Sequence, residues 1–149
     1  VNEAMQTGFE WFWNYRFTDN FKITTDMSYT YAQNKELNEP LPQVTPLTAH
    51  AALHYQKNNY WFNINSRFVA AQRRVSTSFM EPETGSFATF DFSIGFKPIE
   101  NLSIGASVLN IFDTAYYEHL NFSYINSDTL SGRIYEPGRN ITFRVNYKF

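Results

Sequence analysis

Alternation of apolar and polar side chains at every second residue is the feature that most constrains this chain. It is clearest near the start, where Phe9, Trp11 and Trp13 alternate with Glu10 and Asn14. The same period recurs in seven segments, at about residues 7–17, 21–31, 47–55, 60–70, 88–97, 102–108 and 140–149. Successive side chains of a strand point to opposite faces of the sheet. The pattern therefore predicts seven strands, each with one apolar and one polar face.

The distribution of charge supports these assignments. Charged residues make up 17% of the chain, yet no position of the seven apolar faces is Asp, Glu, Lys or Arg. Only Thr7, Thr25 and Ser66 are not apolar there. The opposite faces carry charges of both signs: Glu10, Arg16, Lys22, Asp26, Arg67, Asp91, Lys97, Arg144 and Lys148.

The connections between the predicted strands alternate in length. Short turns are expected at 18–20, 56–59 and 98–101, and long loops at 32–46, 71–87 and 110–139. Neighbouring strands are then antiparallel, with the tight turns at one end of the sheet and the long loops at the other. Outer-membrane barrels have this asymmetry, whereas compact soluble domains favour short connections at both ends.

The apolar face can point inward, as in a soluble β-barrel or sandwich, or outward into lipid. A row such as Phe9, Trp11 and Trp13 is too bulky for the interior of a small barrel. The longest apolar run, Phe68 to Ala71, excludes a transmembrane helix but not a membrane strand. Aromatic residues also cluster at the short-turn end of the apolar face, as in an interfacial girdle: Tyr15, Phe17, Phe21, Tyr55, Tyr60, Phe96, Tyr147 and Phe149. We therefore predict an all-β fold, a segment of a transmembrane antiparallel β-barrel.

The strand count predicts that the barrel is larger than this chain. Bacterial barrels have even numbers of strands, from eight upward, and seven crossings leave the two chain ends on opposite sides of the membrane. The chain also begins at Val1 rather than at a methionine. We interpret it as a processed chain or as an excised piece of a longer protein.

Several short motifs resemble the C-terminal end of a TonB-dependent outer-membrane receptor. They are Asn110-Ile-Phe-Asp113, Tyr116-Tyr117, Glu136-Pro137-Gly138-Arg139-Asn140 and Tyr147-Lys-Phe149, with support from Gly8-Phe-Glu10, Ser28-Tyr-Thr-Tyr31 and Pro40-Leu-Pro42. The resemblance implies that residues 1–149 are the last seven strands of a 22-stranded barrel around an N-terminal plug. Plug and TonB box are absent from the sequence given.

The same resemblance implies the partners. TonB would act through the missing N-terminal region, and the barrel assembly machinery would read the terminal aromatic Phe149. The other implied partners are the lipid bilayer and a metal-chelate ligand. The implied location is the bacterial outer membrane. Some of the polar-face charges would contact the plug.

The motifs also have local roles, because Asn110 and Asp113 can cap backbone groups and Pro137-Gly138 can form a turn.

Candidate ligand contacts are Tyr116, Tyr117 and His119 in the longest loop, which could meet a metal, haem or ferric chelate. His50 and His54 lie two pleats apart on a strand, about 13 Å, which is too far for one metal ion. The chain has no cysteine and no recognisable catalytic motif. We expect neither an enzyme, nor a resident cofactor, nor a protein metal site.

The net charge of −2 shows no excess of positive charge of the kind that binds nucleic acid. The leading functional hypothesis is uptake of a scarce metal chelate, such as a siderophore, haem, cobalamin or copper complex. The alternatives are a passive diffusion porin and a soluble β-barrel that binds a hydrophobic ligand.

Overall fold

The computed structural model describes residues 3–121, 124–126 and 129–149, and these residues form strands, turns and loops but no helix. The strands are β1 Ala4–Arg16, β2 Phe21–Asn34, β3 Glu39–Pro40, β4 Thr48–Lys57, β5 Tyr60–Val69, β6 Phe87–Ile99, β7 Leu102–Leu109, β8 Tyr124–Asn126, β9 Thr129–Gly132 and β10 Asn140–Tyr147. Within the described ranges, no helix has the length and apolarity needed to cross a membrane.

One antiparallel sheet dominates the structure. Its strand order is β1-β2-β4-β5-β6-β7-β10, and the short strand β3 pairs with the end of β2. This order confirms the seven predicted strands. A separate two-stranded sheet, β8-β9, lies in the connection predicted as one long loop. Strands of two to four residues such as β3, β8 and β9 are too short for a period of two to identify.

The strand ends differ slightly from the predicted ones. Strand β2 continues three residues beyond Tyr31 to Asn34, and β6 continues to Ile99, which leaves a two-residue turn at 100–101. The register between β6 and β7 shifts between Phe96 and Ile99. This irregularity contains Pro98, which has no N–H to donate to a ladder and is tolerated at bulges.

The register places the apolar residues on one continuous face, as predicted. Apolar pairs cross the whole sheet: Trp11 with Met27, Ile23 with Leu53, Leu53 with Ile64, Ile64 with Phe92, Phe92 with Val108, and Val108 with Ile141. Aromatic rings contact one another at the short-turn end of this face. Phe21 lies 4.5 Å from Tyr55, and Tyr55 lies 5.0 Å from Phe62, between ring centroids.

Within the described residues, the apolar face of the sheet is not covered by a second layer. Among the described residues, the only buried hydrophobic side chains are Ala32 and Val69. Trp11 is 48% exposed and Phe143 79% exposed. A soluble sandwich or barrel would bury these rings in a core. The apolar face is therefore an exposed surface, through which the sheet can contact lipid or another protein segment.

Candidate functional site

A pocket of ≈ 430 Å³ lies where the connection after β7 folds over the polar face of the sheet. The sheet contributes polar residues from β2, β4, β5 and β6, and the connection contributes residues of the predicted motifs. The principal lining residues are Asp26, His50, Arg67, Asp91, Asn110, Tyr116, Pro137 and Gly138. The structure thus brings predicted loop residues and predicted polar-face charges to one site.

Arg67 and Glu118 tie the long connection to the wall of the sheet. The two terminal guanidinium nitrogens of Arg67 donate to the two carboxylate oxygens of Glu118, with Nη2 and Oε2 3.0 Å apart. The two side chains are 31% and 29% exposed. Such a bidentate pair fixes the orientation of the two side chains as well as the distance between them. The guanidinium of Arg67 also lies 5.3 Å from the ring centroid of Phe87.

Tyr116 closes one side of the pocket. Its ring lies 4.3 Å from that of Phe87, between centroids. Burial raises the pKa of the Tyr116 hydroxyl, and the negative charges of Glu136 and Glu118 raise it further. Because the raised pKa lies above the ordinary value of a phenol, this hydroxyl keeps its proton at neutral pH and can donate a hydrogen bond.

The Tyr117 ring lies in a different environment from that of Tyr116, beside Arg133 and Tyr135. The guanidinium carbon of Arg133 lies 4.4 Å from the centroid of the Tyr117 ring, within the range of a cation–π contact. Tyr135 packs against the same ring edge-on, with centroids 5.4 Å apart. Arg133 also donates to the backbone carbonyl of Glu83 at 3.0 Å. Tyr117 and Arg133 thus form a joint aromatic and cationic element that is partly open to solvent.

His119 is enclosed, with only 2% of its side chain exposed. Its Nδ1 lies 3.1 Å from the Thr84 hydroxyl and its Nε2 lies 3.2 Å from Oε1 of Glu81. Both ring nitrogens therefore have protein partners, and a ligand would reach the ring only after one of these contacts breaks. The Glu81 carboxylate also accepts from the backbone N–H groups of Gln43 and Ser76, at 2.7 and 2.8 Å. His119 and Glu81 thereby join all three long connections.

Asn110 and Asp113 form the base of the long connection. Asn110 donates from Nδ2 to the carbonyl of Thr114 and accepts from the Thr114 N–H, each at 2.9 Å, and its own N–H donates to Asp91 at 2.8 Å. Asp113 accepts from the N–H of Arg139 at 2.7 Å. The two residues cap backbone groups, as the sequence predicted.

Gly138 lies close to this contact: a Cβ there would stand 2.7 Å from Oδ1 of Asp113, so a larger residue would displace the Asp113 carboxylate. Glu136 joins the two ends of the long connection: its N–H donates to the Tyr116 carbonyl at 2.9 Å, and its carboxylate accepts from Asn121 at 2.7 Å.

At the other end of the sheet, the Phe149 side chain is fully exposed, and its ring lies edge-on to Tyr147 at 5.1 Å between centroids.

The histidines on the polar face have separate partners. His50 Nδ1 lies 2.7 Å from Oδ1 of Asp26, and His54 is hydrogen-bonded to Asn63. Nowhere in residues 3–121 and the described remainder do three or more His, Asp or Glu side chains converge as metal ligands would.

Glu39 joins the first long connection to the second. Its carboxylate accepts from the hydroxyls of Ser76 and Thr77, at 3.0 and 2.7 Å, and from the N–H of Ser78 at 3.2 Å. The hydrogen bonds from Ser78 and Thr77 lower the pKa of Glu39 from 4.5 to about 2. The folded state therefore favours the ionised carboxylate more than the unfolded chain does.

We expect the stabilising effect of Glu39 to depend on pH with a definite sign. A lowered pKa contributes stability that is complete above the unfolded pKa of 4.5 and is lost as pH falls toward about 2. Glu39→Gln should therefore be less stable than wild type at neutral pH, and this difference should shrink below pH 4.5. Unfolding midpoints of both proteins across that range provide the measurement. A difference that is constant with pH would show that the charge of Glu39 does not matter.

Sequence reasoning missed the contacts that hold the loops together. Glu39, Glu81 and Glu118 stand in segments without periodicity, and their partners lie 37, 38 and 51 residues away along the chain. No local pattern signals such pairs. The charge of Arg67 on the polar face indicates that a carboxylate could lie opposite it, but not which residue supplies that carboxylate.

Comparison with known proteins gives a consistent result. A family model described as "TonB dependent receptor-like, beta-barrel" matches residues 1–111. No curated protein sequence matches the chain closely enough to count as a relative. The chain is similar to a copper transporter, OprC, with 26% identity and a TM-score of 0.87 over 98% of this chain and 24% of that one.

Two further solved structures share the fold. The ferric yersiniabactin uptake receptor FyuA of Yersinia pestis is 18% identical, with a TM-score of 0.81, over 98% of this chain and 24% of that one. A mutant of the ferric enterobactin receptor PfeA of Pseudomonas aeruginosa is 20% identical, with a TM-score of 0.74, over 98% and 22%. The chain therefore spans about a quarter of the length of the structures it matches.

Proposed function

The chain belongs to the TonB-dependent receptor β-barrel family, and on that premise we propose that it is part of a bacterial outer-membrane receptor that takes up a scarce metal chelate. The observation that carries the proposal is the family match together with the register of the sheet. An uncovered aromatic face and an opposite polar face suit a wall between lipid and an aqueous lumen. In this role the chain acts in transport and not in catalysis.

The residues 1–149 would be the last seven strands of a 22-stranded barrel, with plug and TonB box supplied by the N-terminal region of the receptor. TonB would act through that region. The barrel assembly machinery would recognise Phe149, whose exposed ring at the short-turn end of β10 supports this role.

Ligand contact is assigned to the long connection. Tyr116 offers a protonated hydroxyl at the pocket, and Tyr117 offers an aromatic ring beside the cation of Arg133. Both suit an anionic or aromatic chelate. His119 would meet the ligand only after its contact with Glu81 or Thr84 opens.

A passive porin is the second candidate. Its lumen would stay open, whereas here the connection after β7 lies over the polar face and is held there by Arg67 and Glu118. This inward-folded loop favours a receptor that binds its solute over an open channel.

Uptake by the full-length receptor tests the proposal. We expect a host that lacks its own receptors to accumulate one radiolabelled chelate from a panel of ferric siderophores, haem, cobalamin and copper complexes. Uptake should be saturable, should stop when the proton gradient is collapsed, and should be absent in a strain without TonB. Unsaturable entry of many small solutes, independent of energy, would instead identify a porin.

A further inference from the structure

Arg74 lies against the apolar face of the sheet, although it belongs to the connection between β5 and β6. Its guanidinium carbon is 3.9 Å from the centroid of the Tyr31 ring. Its Nη2 donates to Oε1 of Gln33 at 2.8 Å. Tyr31 comes four residues after Met27 in β2, and Gln33 two residues later, so all three side chains are on the apolar face. The guanidinium is therefore on the side of the sheet that the proposed function assigns to lipid.

The apolar face changes in character toward its long-loop end. Along β1 and β2 in that direction, successive cross-strand partners on this face are Phe9 and Tyr29, Thr7 and Tyr31, Met5 and Gln33, and the ion pair of Glu3 with Lys35. The side chains thus change from aromatic to polar and then to charged. Arg74 lies at this boundary, where the apolar face ends.

The distance along β2 places the boundary at the far edge of a bilayer. Phe21 belongs to the aromatic cluster at the short-turn end, and Tyr31 stands ten residues further along the strand. At about 3.3 Å per residue, the two are roughly 33 Å apart along β2. A strand tilt of about 40° reduces this to roughly 25 Å across the membrane, which is the height of the apolar band of such barrels. The guanidinium of Arg74 therefore reaches the level of the lipid headgroups.

Arg74 has no carboxylate partner in the part of the chain that the structure describes. No ion pair there includes Arg74 or its exposed neighbour Arg73, whereas Lys35 is neutralised by Glu3 at 2.6 Å. A guanidinium has five N–H donors, and the hydrogen bond to Gln33 uses only one of them. The other donors and the positive charge are available to an anion.

We propose that Arg74, held in place by Tyr31 and Gln33, binds the phosphate of a lipid headgroup in the outer leaflet. The donors of a guanidinium match the spacing of phosphate oxygens and can bind two of them at once. Because the two protein contacts already fix the guanidinium, little side-chain freedom is lost when the anion binds.

The position of Arg74 favours a lipid phosphate over a phosphate ion from solution. Acyl chains that lie against the adjacent apolar face would hold a lipid phosphate at this level, whereas a free ion has no such anchor. The inference goes beyond the proposed uptake. It rests on the membrane position of the sheet and not on the solute that the receptor carries.

Photolabelling of the full-length receptor in phosphatidylcholine vesicles tests the proposal. The probe is phosphatidic acid with a diazirine near the start of one acyl chain, and the label is quantified by mass spectrometry on the peptide that contains Tyr31. We expect strong label in wild type and about tenfold less in Arg74→Gln, since a hydrogen bond to a charged group contributes about this factor. Phosphatidylcholine with the same diazirine is the zwitterionic control and should label this peptide weakly. Equal labelling by the two lipids would overturn the proposal.

Two further variants separate this site from a general effect of charge. Arg73→Gln removes the same charge from the preceding residue, which makes neither the contact with Tyr31 nor that with Gln33. It should label like wild type. Arg74→Lys keeps the charge but cannot bind two phosphate oxygens in the same way, so it should label several-fold less than wild type. Equal loss in Arg73→Gln, or full label in Arg74→Lys, would contradict a site built on the Arg74 guanidinium.

Inorganic phosphate distinguishes the two sources of the anion. An excess in the buffer, compared with sodium chloride at the same ionic strength, should leave the label unchanged. Loss of label would assign the site to a free ion and overturn the lipid assignment. The readout does not depend on uptake, so absence of label with uptake retained refutes this inference alone, and label without uptake refutes the transport function alone.

Discussion

Phe92→Arg is expected to destabilise the complete barrel by about 2–4 kcal/mol, because it places a charge against hydrocarbon near the middle of the bilayer. Phe92 lies on the apolar face between Ile64 and Val108 in the register of the sheet. The measurement is reversible unfolding in lipid bilayers, comparing the variant with wild type.

Ser93→Arg is the matched control. Ser93 is the next residue of the same strand but points to the polar face, opposite Asn63 and Ser107. Its cost should be within about 1 kcal/mol, since water or a carboxylate can reach the new guanidinium. The two variants add the same side chain to the same strand, so strand propensity largely cancels. Equal costs would mean that the two faces do not differ in their contact with lipid.

Gly8→Ala should be the second most damaging single change. A Cβ at this position would stand 2.4 Å from the backbone oxygen of Tyr29 on the paired strand. Backbone atoms cannot swing aside as a side chain can, so β1 and β2 would have to separate locally. Overpacking of this kind costs about 1–3 kcal/mol. Denaturant unfolding of the complete barrel gives the value.

Gly85→Ala supplies the comparison for Gly8. A Cβ at Gly85 would meet nothing within 4 Å, and its backbone does not have a positive φ. We expect a change within about 0.5 kcal/mol of wild type. If Gly8→Ala were as harmless as Gly85→Ala, the close approach of β1 to β2 at Tyr29 would be wrong.

The sheet was predictable because its information is local. Whether Phe92 points to one face and Ser93 to the other follows from a period of two, and one buried or lipid-facing side fixes the register. The capping roles of Asn110 and Asp113 also followed from their position after an apolar strand. Both features depend on residues that are close in sequence, or on a repeat that every strand shares.

The contacts that join the long connections to one another were not predictable, because they depend on residues that are far apart in the sequence. Its position just after two tyrosines makes His119 a candidate ligand in the sequence, yet its ring contacts Glu81, 38 residues earlier. The packing of Trp61 over Gly95 likewise depends on the neighbouring strand. Such contacts come from the way that separate loops and strands meet, which no short segment records.

Quenching of tryptophan fluorescence by lipids with brominated acyl chains tests the central claim most directly, because bromine quenches only rings that touch hydrocarbon. The chain has three tryptophans: Trp11 and Trp13 lie on the apolar face, and Trp61 lies on the polar face. Variants of the complete barrel would keep one of these three tryptophans and carry phenylalanine at every other tryptophan of the protein. The account predicts strong quenching of Trp11 and Trp13 and little quenching of Trp61. Quenching of Trp61 with Trp11 and Trp13 protected would contradict it and would place the apolar face inside the barrel.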